Sequence, residues 1–254
     1  MSECGLKAGS ERMNAIELTN LTRVYDRPVV DHLNLTIGEG ELFGLLGVNG
    51  AGKTTTIRML SCLTAPTEGD ARILGHSVAK ESGLVKPLIN VSPQETAVAP
   101  LLTVRENLEL IAGIYGSGRK QAAEKASRLI EQFSLQEVEH KRAKILSGGW
   151  QRRLSIAMAL VSEPRVLFLD EPTLGLDVLA RRGLWAHIRA LKGKITLILT
   201  THYLEEAEAL CDRIGVMAHG RLVALGTAAE LKAQAGADSF EDAFVRLAGE
   251  GDVK

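Results

Sequence analysis

The hydrophobic positions of this chain fall into three patterns. The first is alternation. Leu33, Leu35 and Ile37 occupy every second position, so 33–37 is a strand with one buried face. Residues 16–20 alternate likewise, and 21–25 continue that strand past a bulge. The second pattern is the short unbroken apolar run. Val166-Leu167-Phe168-Leu169 is typical of a strand buried on both faces of a parallel sheet. Residues 41–46 and 195–199 also read as strands, as do 70–75, 89–94, 214–217 and 222–225. The third is helical spacing. Ile57, Leu60 and Leu63 share a face of a helix over 55–63. Thr103 and Glu106 have capping-box spacing ahead of the stripe Leu108, Ile111, Ala112 and Tyr115. Gly116-Ser117-Gly118 breaks that helix, and Ala122, Ala126, Leu129, Ile130 and Phe133 mark the next. Further helices are predicted over 147–161, 178–191, 204–211 and 227–234, with a last one carrying Phe240, Phe244, Leu247 and Ala248. The early strands read as antiparallel and hairpin-linked. The expected fold class is α/β: a mixed sheet with helices on both faces, an N-terminal antiparallel β subdomain, and a helical lobe inserted over about 95–145. Residues 14–235 would form the main domain, 1–13 a loose extension, and 236–254 a short helix and tail.

Composition narrows this picture by exclusion. The chain has 254 residues and a formal net charge of −1, so no general nucleic-acid binder is indicated. Its three cysteines, Cys4, Cys62 and Cys211, are widely spaced, so neither a disulfide framework nor a zinc site is expected. Cys62 and Cys211 fall on apolar helix faces and are expected in the core. A run of ~18 apolar residues, long enough to span a bilayer, does not occur. Met1–Arg12 is polar and lacks the apolar segment of a signal peptide, and Met13 is an alternative start.

The chemistry begins at Gly47-Val48-Asn49-Gly50-Ala51-Gly52-Lys53-Thr54, which fits the phosphate-loop pattern G-x-x-x-x-G-K-[ST]. A strand precedes it and a helix follows, the context the pattern requires. The glycines let successive N–H groups point at phosphate oxygens, and the helix N-terminus adds positive partial charge. Lys53 can reach the terminal phosphates, and the Thr54 hydroxyl can hold Mg²⁺. Asp170 ends the buried run 166–169, at the sheet edge where ligands bind in open α/β folds. A carboxylate there can order Mg²⁺. Glu171 is next in sequence, so its side chain is expected to point elsewhere, where it can accept a proton from a water aimed at the terminal phosphate.

Leu146-Ser147-Gly148-Gly149-Trp150-Gln151-Arg152-Arg153-Leu154 resembles the signature motif of the nucleotide-binding subunit of ATP-binding cassette (ABC) transporters, whose core is L-S-G-G. The resemblance covers about 14–235, with the segments in the family's order. It implies a phosphate-loop NTPase core that binds ATP and Mg²⁺ and hydrolyses ATP. Residues 47–54 and Thr55 would cradle the phosphates, and Tyr25 would stack on adenine. Gln94 would touch Mg²⁺ or the attacking water. Thr54 and Asp170 would hold Mg²⁺, Glu171 would be the general base, and His202 would bond the γ-phosphate. Ser147, Gly148 and Gly149 would cap the γ-phosphate of ATP held by a second copy, or a homologous cassette, packed head to tail, with Asp177 anchoring a loop at the seam.

Three departures stand out: Val48 where Pro is common, Trp150 where Gln or Met is usual, and Leu174 where Ser is frequent. None removes a catalytic group. Residues 102–108, 201–208 and 238–244 resemble the drug- and polymer-export branch, which pairs with ABC-2 type membrane subunits. That implies a cytoplasmic chain, peripheral on the cell membrane through its permease. The alternatives are a soluble cassette ATPase acting on ribosome or DNA, which usually has two cassettes or a long coiled-coil insertion, and a non-hydrolysing regulator, against which Glu171 and His202 both argue.

Overall fold

The computed structural model describes residues 14–249. The expectations for 1–13, for the choice of start, for Cys4 and for 250–254 lie outside the described residues. β1 (Asn14–Val24) and β2 (Pro28–Gly38) form an antiparallel hairpin. Leu33, Leu35 and Ile37 are all buried, as their alternation requires. The register slips near Asn20 and His32, which have φ of 48° and 49° and carry the bulges.

β3 (Leu42–Gly47) leaves this hairpin for a second sheet. After α1 (Lys53–Leu60), β4 (Glu68–Ile73) returns to pair antiparallel with β1, and β5 (His76–Ser77) lies beyond it. In this sheet β1–β2 and β4–β5 are hairpin-linked, while β4 reaches β1 across a strand and a helix that belong to the other layer.

The chain continues through α2 (Ser82–Val85), β6 (Ile89–Ser92), α3 (Val104–Ile114), α4 (Arg119–Gln132), α5 (Gly148–Leu160) and β7 (Val166–Asp170). Then come α6 (Val178–Arg189), β8 (Thr196–Thr201), α7 (Leu204–Leu210), β9 (Arg213–Ala218) and β10 (Arg221–Gly226). α8 (Ala228–Ala235) and α9 (Phe240–Gly249) close the described chain. The second sheet has the order β10-β9-β3-β8-β7-β6, parallel except for β10 on β9.

Both faces of this sheet are covered, which is why its central strands are unbroken apolar runs. Leu42, Leu167, Leu169, Leu197 and Leu199 pack with Leu108, Phe133, Leu154 and Leu184 of the helical side. Phe43, Leu45, Val166, Phe168 and Ile198 pack instead with Ile57 and Leu60 and with the first sheet. Each such side chain, fully buried, contributes roughly 1.5–3 kcal/mol.

Three expectations change. α1 stops at Leu60 because Cys62 takes φ 57°, so Leu63 leaves the face of Ile57 and is 67% exposed. Cys62 is half-buried in that turn rather than on a helix face. Cys211 caps the end of α7 with a thiol whose pKa burial raises well above its usual value. A Cβ on Gly44 would lie 2.6 Å from that sulfur, so the close approach requires glycine. Tyr115 caps α3 and is half-exposed, so the α3 stripe does not extend to it. The capping box of Thr103 and Glu106 is present.

The carboxyl ends of β3, β8 and β7 are neighbours in the sheet. Loops separated by more than a hundred residues in sequence thereby meet at one edge.

Candidate nucleotide site

Gly47 ends β3 and Lys53 begins α1, so 48–52 form the connecting loop. Gly52 takes φ 102°, and a Cβ there would stand 2.6 Å from the Val29 carbonyl; only glycine fits. The first N–H groups of α1 lack intrahelical acceptors and face the concavity of the loop. The Lys53 side chain is 5% exposed. Its Nζ donates to the carbonyls of Gly47 (2.7 Å) and Val48 (3.2 Å) and lies 3.4 Å from Glu171 Oε1. At an effective dielectric of ~20 the pair attracts by about 5 kcal/mol before desolvation is counted.

Asp170 ends β7. Its Oδ1 accepts from Thr200 Oγ1 at 2.5 Å and from Thr54 Oγ1 at 3.3 Å. A hydroxyl of the loop and a carboxylate of the sheet edge thus converge. That oxygen-only pair suits Mg²⁺, which takes few protein ligands and completes its shell with phosphate and water. Among the described residues no group of three or more His, Cys, Asp and Glu gathers as a metal cage.

Glu171 follows with a φ of 47°, just past the strand end, and its carboxylate meets other groups than that of Asp170. Besides Lys53 it meets His202, whose Nδ1 is 2.7 Å from Glu171 Oε2. An ionised carboxylate only accepts, so Nδ1 carries the proton there. The His202 ring also rests against Tyr203 at 4.2 Å, and Arg181 covers the Tyr203 ring at 4.4 Å. His202 is thus held toward the carboxylate.

A cavity of about 330 Å³ joins most of these groups, and Asp170 borders it only through Thr54. The cavity is lined by Val29, residues 49–55, Gln94, Glu171 and His202. Of the residues singled out in the sequence, it gathers Asn49, Gly50, Ala51, Gly52, Lys53, Thr54, Thr55, Gln94, Glu171 and His202. Val48 is exposed at its rim-side loop, and Tyr25 is half-exposed in the β1–β2 turn, 4.4 Å beneath the Arg23 guanidinium. Tyr25 is outside the cavity lining and is not a core residue either.

Ser147, Gly148 and Gly149 do not join the cavity. Ser147 is the N-cap of α5 with no side-chain cap bond, and Ser147 and Gly148 are exposed. Gly148 instead lines a second, open concavity shared with Gln94, Gly175 and Leu176. Asp177 caps α6 by accepting from the Ala180 N–H at 2.9 Å. Trp150 is half-buried, with the Arg153 guanidinium 4.9 Å above its ring.

Two residues of this neighbourhood escaped the sequence reading. Thr200 is fully buried; it donates to Asp170 and its Oγ1 accepts from the Glu171 N–H at 3.1 Å, so one hydroxyl orients both acids. The only signal was a polar residue ending an apolar run. Arg152 is 4% exposed, and burial lowers its pKa to about 10. Its place within the signature segment was visible, but not what it touches.

A family model described as "ABC transporter" matches residues 30–174. The chain belongs to the ABC transporter family. It is an ATP-binding cassette with the ATPase fold expected of that family. It is 44% identical over 229 residues to the daunorubicin resistance ATP-binding protein DrrA3 of Streptomyces coeruleorubidus, covering 90% of this chain and 72% of that one. It is 40% identical over 246 residues to the probable multidrug ABC transporter ATP-binding protein YbhF of Escherichia coli, covering 94% of this chain but only 42% of that one. The cassette thus spans under half the length of that relative. Among solved structures it is similar to a dimeric post-hydrolysis state of the ATP-binding cassette MJ0796 bound to ADP and Pi. The TM-score is 0.75 at 26% identity, over 84% of this chain and 98% of that one.

Proposed function

We propose that the cassette binds and hydrolyses ATP as a head-to-tail dimer and drives an exporter whose transmembrane subunits are of the ABC-2 type. The observation that carries the dimer is the split of the site. Lys53, Thr54, Glu171 and His202 line one cavity, with Asp170 behind Thr54, while Ser147 and Gly148 stand exposed outside it. A helix N-terminus that exposes Ser147 and Gly148 is an anion site without an anion partner in its own chain. A second copy supplies the nucleotide that it caps, and a two-fold axis then makes two equal sites.

Within each site Lys53 and the loop N–H groups bind the phosphates, and Thr54, Asp170 and Gln94 would hold Mg²⁺. When bound, Mg²⁺ neutralises charge on the phosphate oxygens. Glu171 takes the proton of the attacking water, and His202 keeps that carboxylate aimed. Asp177 fixes the start of α6 near the seam, and Tyr25 stacks on adenine from the exposed turn. The drug-resistance relatives support the exporter reading, and with it a place on the inner face of the cell membrane, reached through the permease.

Glu171→Gln tests the hydrolytic core. It should retain ATP binding, accumulate an ATP-dependent dimer on size-exclusion chromatography, and lose turnover by about 10²–10⁴-fold, the usual contribution of a general base. Undiminished phosphate release by this variant would remove Glu171 from the role. Membrane subunits co-purifying with the tagged chain would carry the exporter reading; ribosomes alone would overturn it.

A further inference from the structure

Arg152 lies in the second turn of α5, five residues after Ser147. A cation there opposes the positive end of the helix dipole, and burying a guanidinium costs more still. Yet Arg152 is buried, and its four hydrogen bonds all end on main-chain carbonyls. Nε donates to Pro172 (2.7 Å) and Nη2 to Asp170 (2.8 Å). Nη1 donates to Pro93 and to Gln94 (3.2 Å).

These carbonyls belong to two loops. Pro93 and Gln94 follow β6, and Asp170 and Pro172 close β7, its parallel neighbour. Both chains leave the ladder at these points, so the carbonyls need another donor. One planar fork supplies it to both loops at once. A lysine ammonium is a single point and cannot span them.

We propose that Arg152 is a positioning residue that ties the exposed anion site of Ser147, Gly148 and Gly149 to the loops carrying Gln94, Asp170 and Glu171. The proposal rests on the function proposed above. A helix of thirteen residues moves as a rigid rod. A nucleotide phosphate from the second copy, seated on the first turn of α5, therefore shifts Arg152 with it. The fork carries that shift to the backbone on either side of the cavity. Gln94 and Asp170 are held at their carbonyls; Gln94 lines the cavity, and the Asp170 carboxylate accepts from Thr54, which does too. Occupancy of the partner's site is read as alignment of this one.

The test uses the full chain with Mg-ATP and two variants, Arg152→Lys and Arg152→Gln. Folding is followed by circular dichroism, binding by a fluorescent ATP analogue, and turnover by phosphate release. Both variants should fold and bind nucleotide within about threefold of wild type, while kcat falls at least about tenfold with KM little changed, the pattern of an interaction made only in the transition state. Lysine keeps the charge and should not rescue. In the Glu171→Gln background, Arg152→Lys should also weaken the ATP-dependent dimer. A folded Arg152→Lys with kcat within about twofold of wild type overturns the proposal. So does a loss confined to nucleotide binding, and so does failure of both variants to fold, which makes the role structural. Absence of turnover by the wild-type chain strikes the proposed function itself, and this proposal with it.

Discussion

Thr200→Val isolates the hydroxyl that orients the two acids. Valine matches threonine in shape, so packing at this fully buried position is nearly unchanged. What is lost is the 2.5 Å bond to the Asp170 carboxylate. The Glu171 N–H loses the hydroxyl but keeps the Thr200 carbonyl at 3.1 Å, so no buried donor is orphaned. The loss is one hydrogen bond to a charged group, roughly 1.5–3 kcal/mol. For a chain of this size each kcal/mol lowers the melting midpoint by about 2–4 °C, which puts the fall at about 3–12 °C. Asp170 retains only the longer bond from Thr54, at 3.3 Å, so its carboxylate is free to turn away from the metal position. Turnover should fall by about tenfold, the effect of 1.4 kcal/mol on a barrier. Thr200→Ser keeps the hydroxyl and should keep most of both. Melting by circular dichroism and phosphate release measure the two effects. A valine variant that melts within about 1 °C of wild type and turns over normally would refute the reasoning. Equal damage in the serine variant would also refute it, since packing rather than the hydroxyl would then be responsible.

The other expectations are briefer. His202→Ala removes the Nδ1 bond that aims Glu171; turnover should fall by about 10²-fold with ATP binding kept, measured by phosphate release and equilibrium binding. Gly52→Ala meets both a φ of 102° and the Val29 carbonyl, so the loop should deform, ATP binding should be lost and the melting midpoint should drop. Glu206 is fully buried; its Oε1 accepts from Trp185 Nε1 at 3.0 Å, and the Thr201 and Thr173 hydroxyls also face its carboxylate. Burial raises its pKa above the ordinary 4.5. The folded chain therefore holds this proton longer than the unfolded one, and the group's contribution to stability falls as pH rises from 4.5 toward the folded value. Glu206→Gln removes that dependence while keeping an acceptor for Trp185. Its melting midpoint should exceed wild type by a few degrees at about pH 8, and the difference should shrink toward pH 4.5; a constant difference would argue against a titrating Glu206.

Much of the protein was legible in local sequence, because local rules govern it. The phosphate loop is a contiguous backbone shape with a fixed spacing of glycine, lysine and threonine, so Gly47 through Thr54 could be read from the sequence alone. The run 166–169 declared a strand covered on both faces, 195–199 declared a strand, and the Thr103–Glu106 spacing declared a capped helix that the fold contains. Strand order was not legible, since β3 lies between β8 and β9 through pairings that span more than 150 residues. Nor was the aim of single side chains. Glu171 lines the cavity beside Lys53 and His202, which lie far from it in sequence. Leu63 left the buried face of α1 because Cys62 turned the chain. Thr200 and Arg152 act only on groups brought near by the sheet, so no spacing in the sequence marks them. The sequence by itself determined which chemical groups the protein owns and the local shapes that present them. Tertiary structure alone decided which of those groups share a cavity and which face outward, because that depends on long-range strand pairing and on backbone angles set by packing.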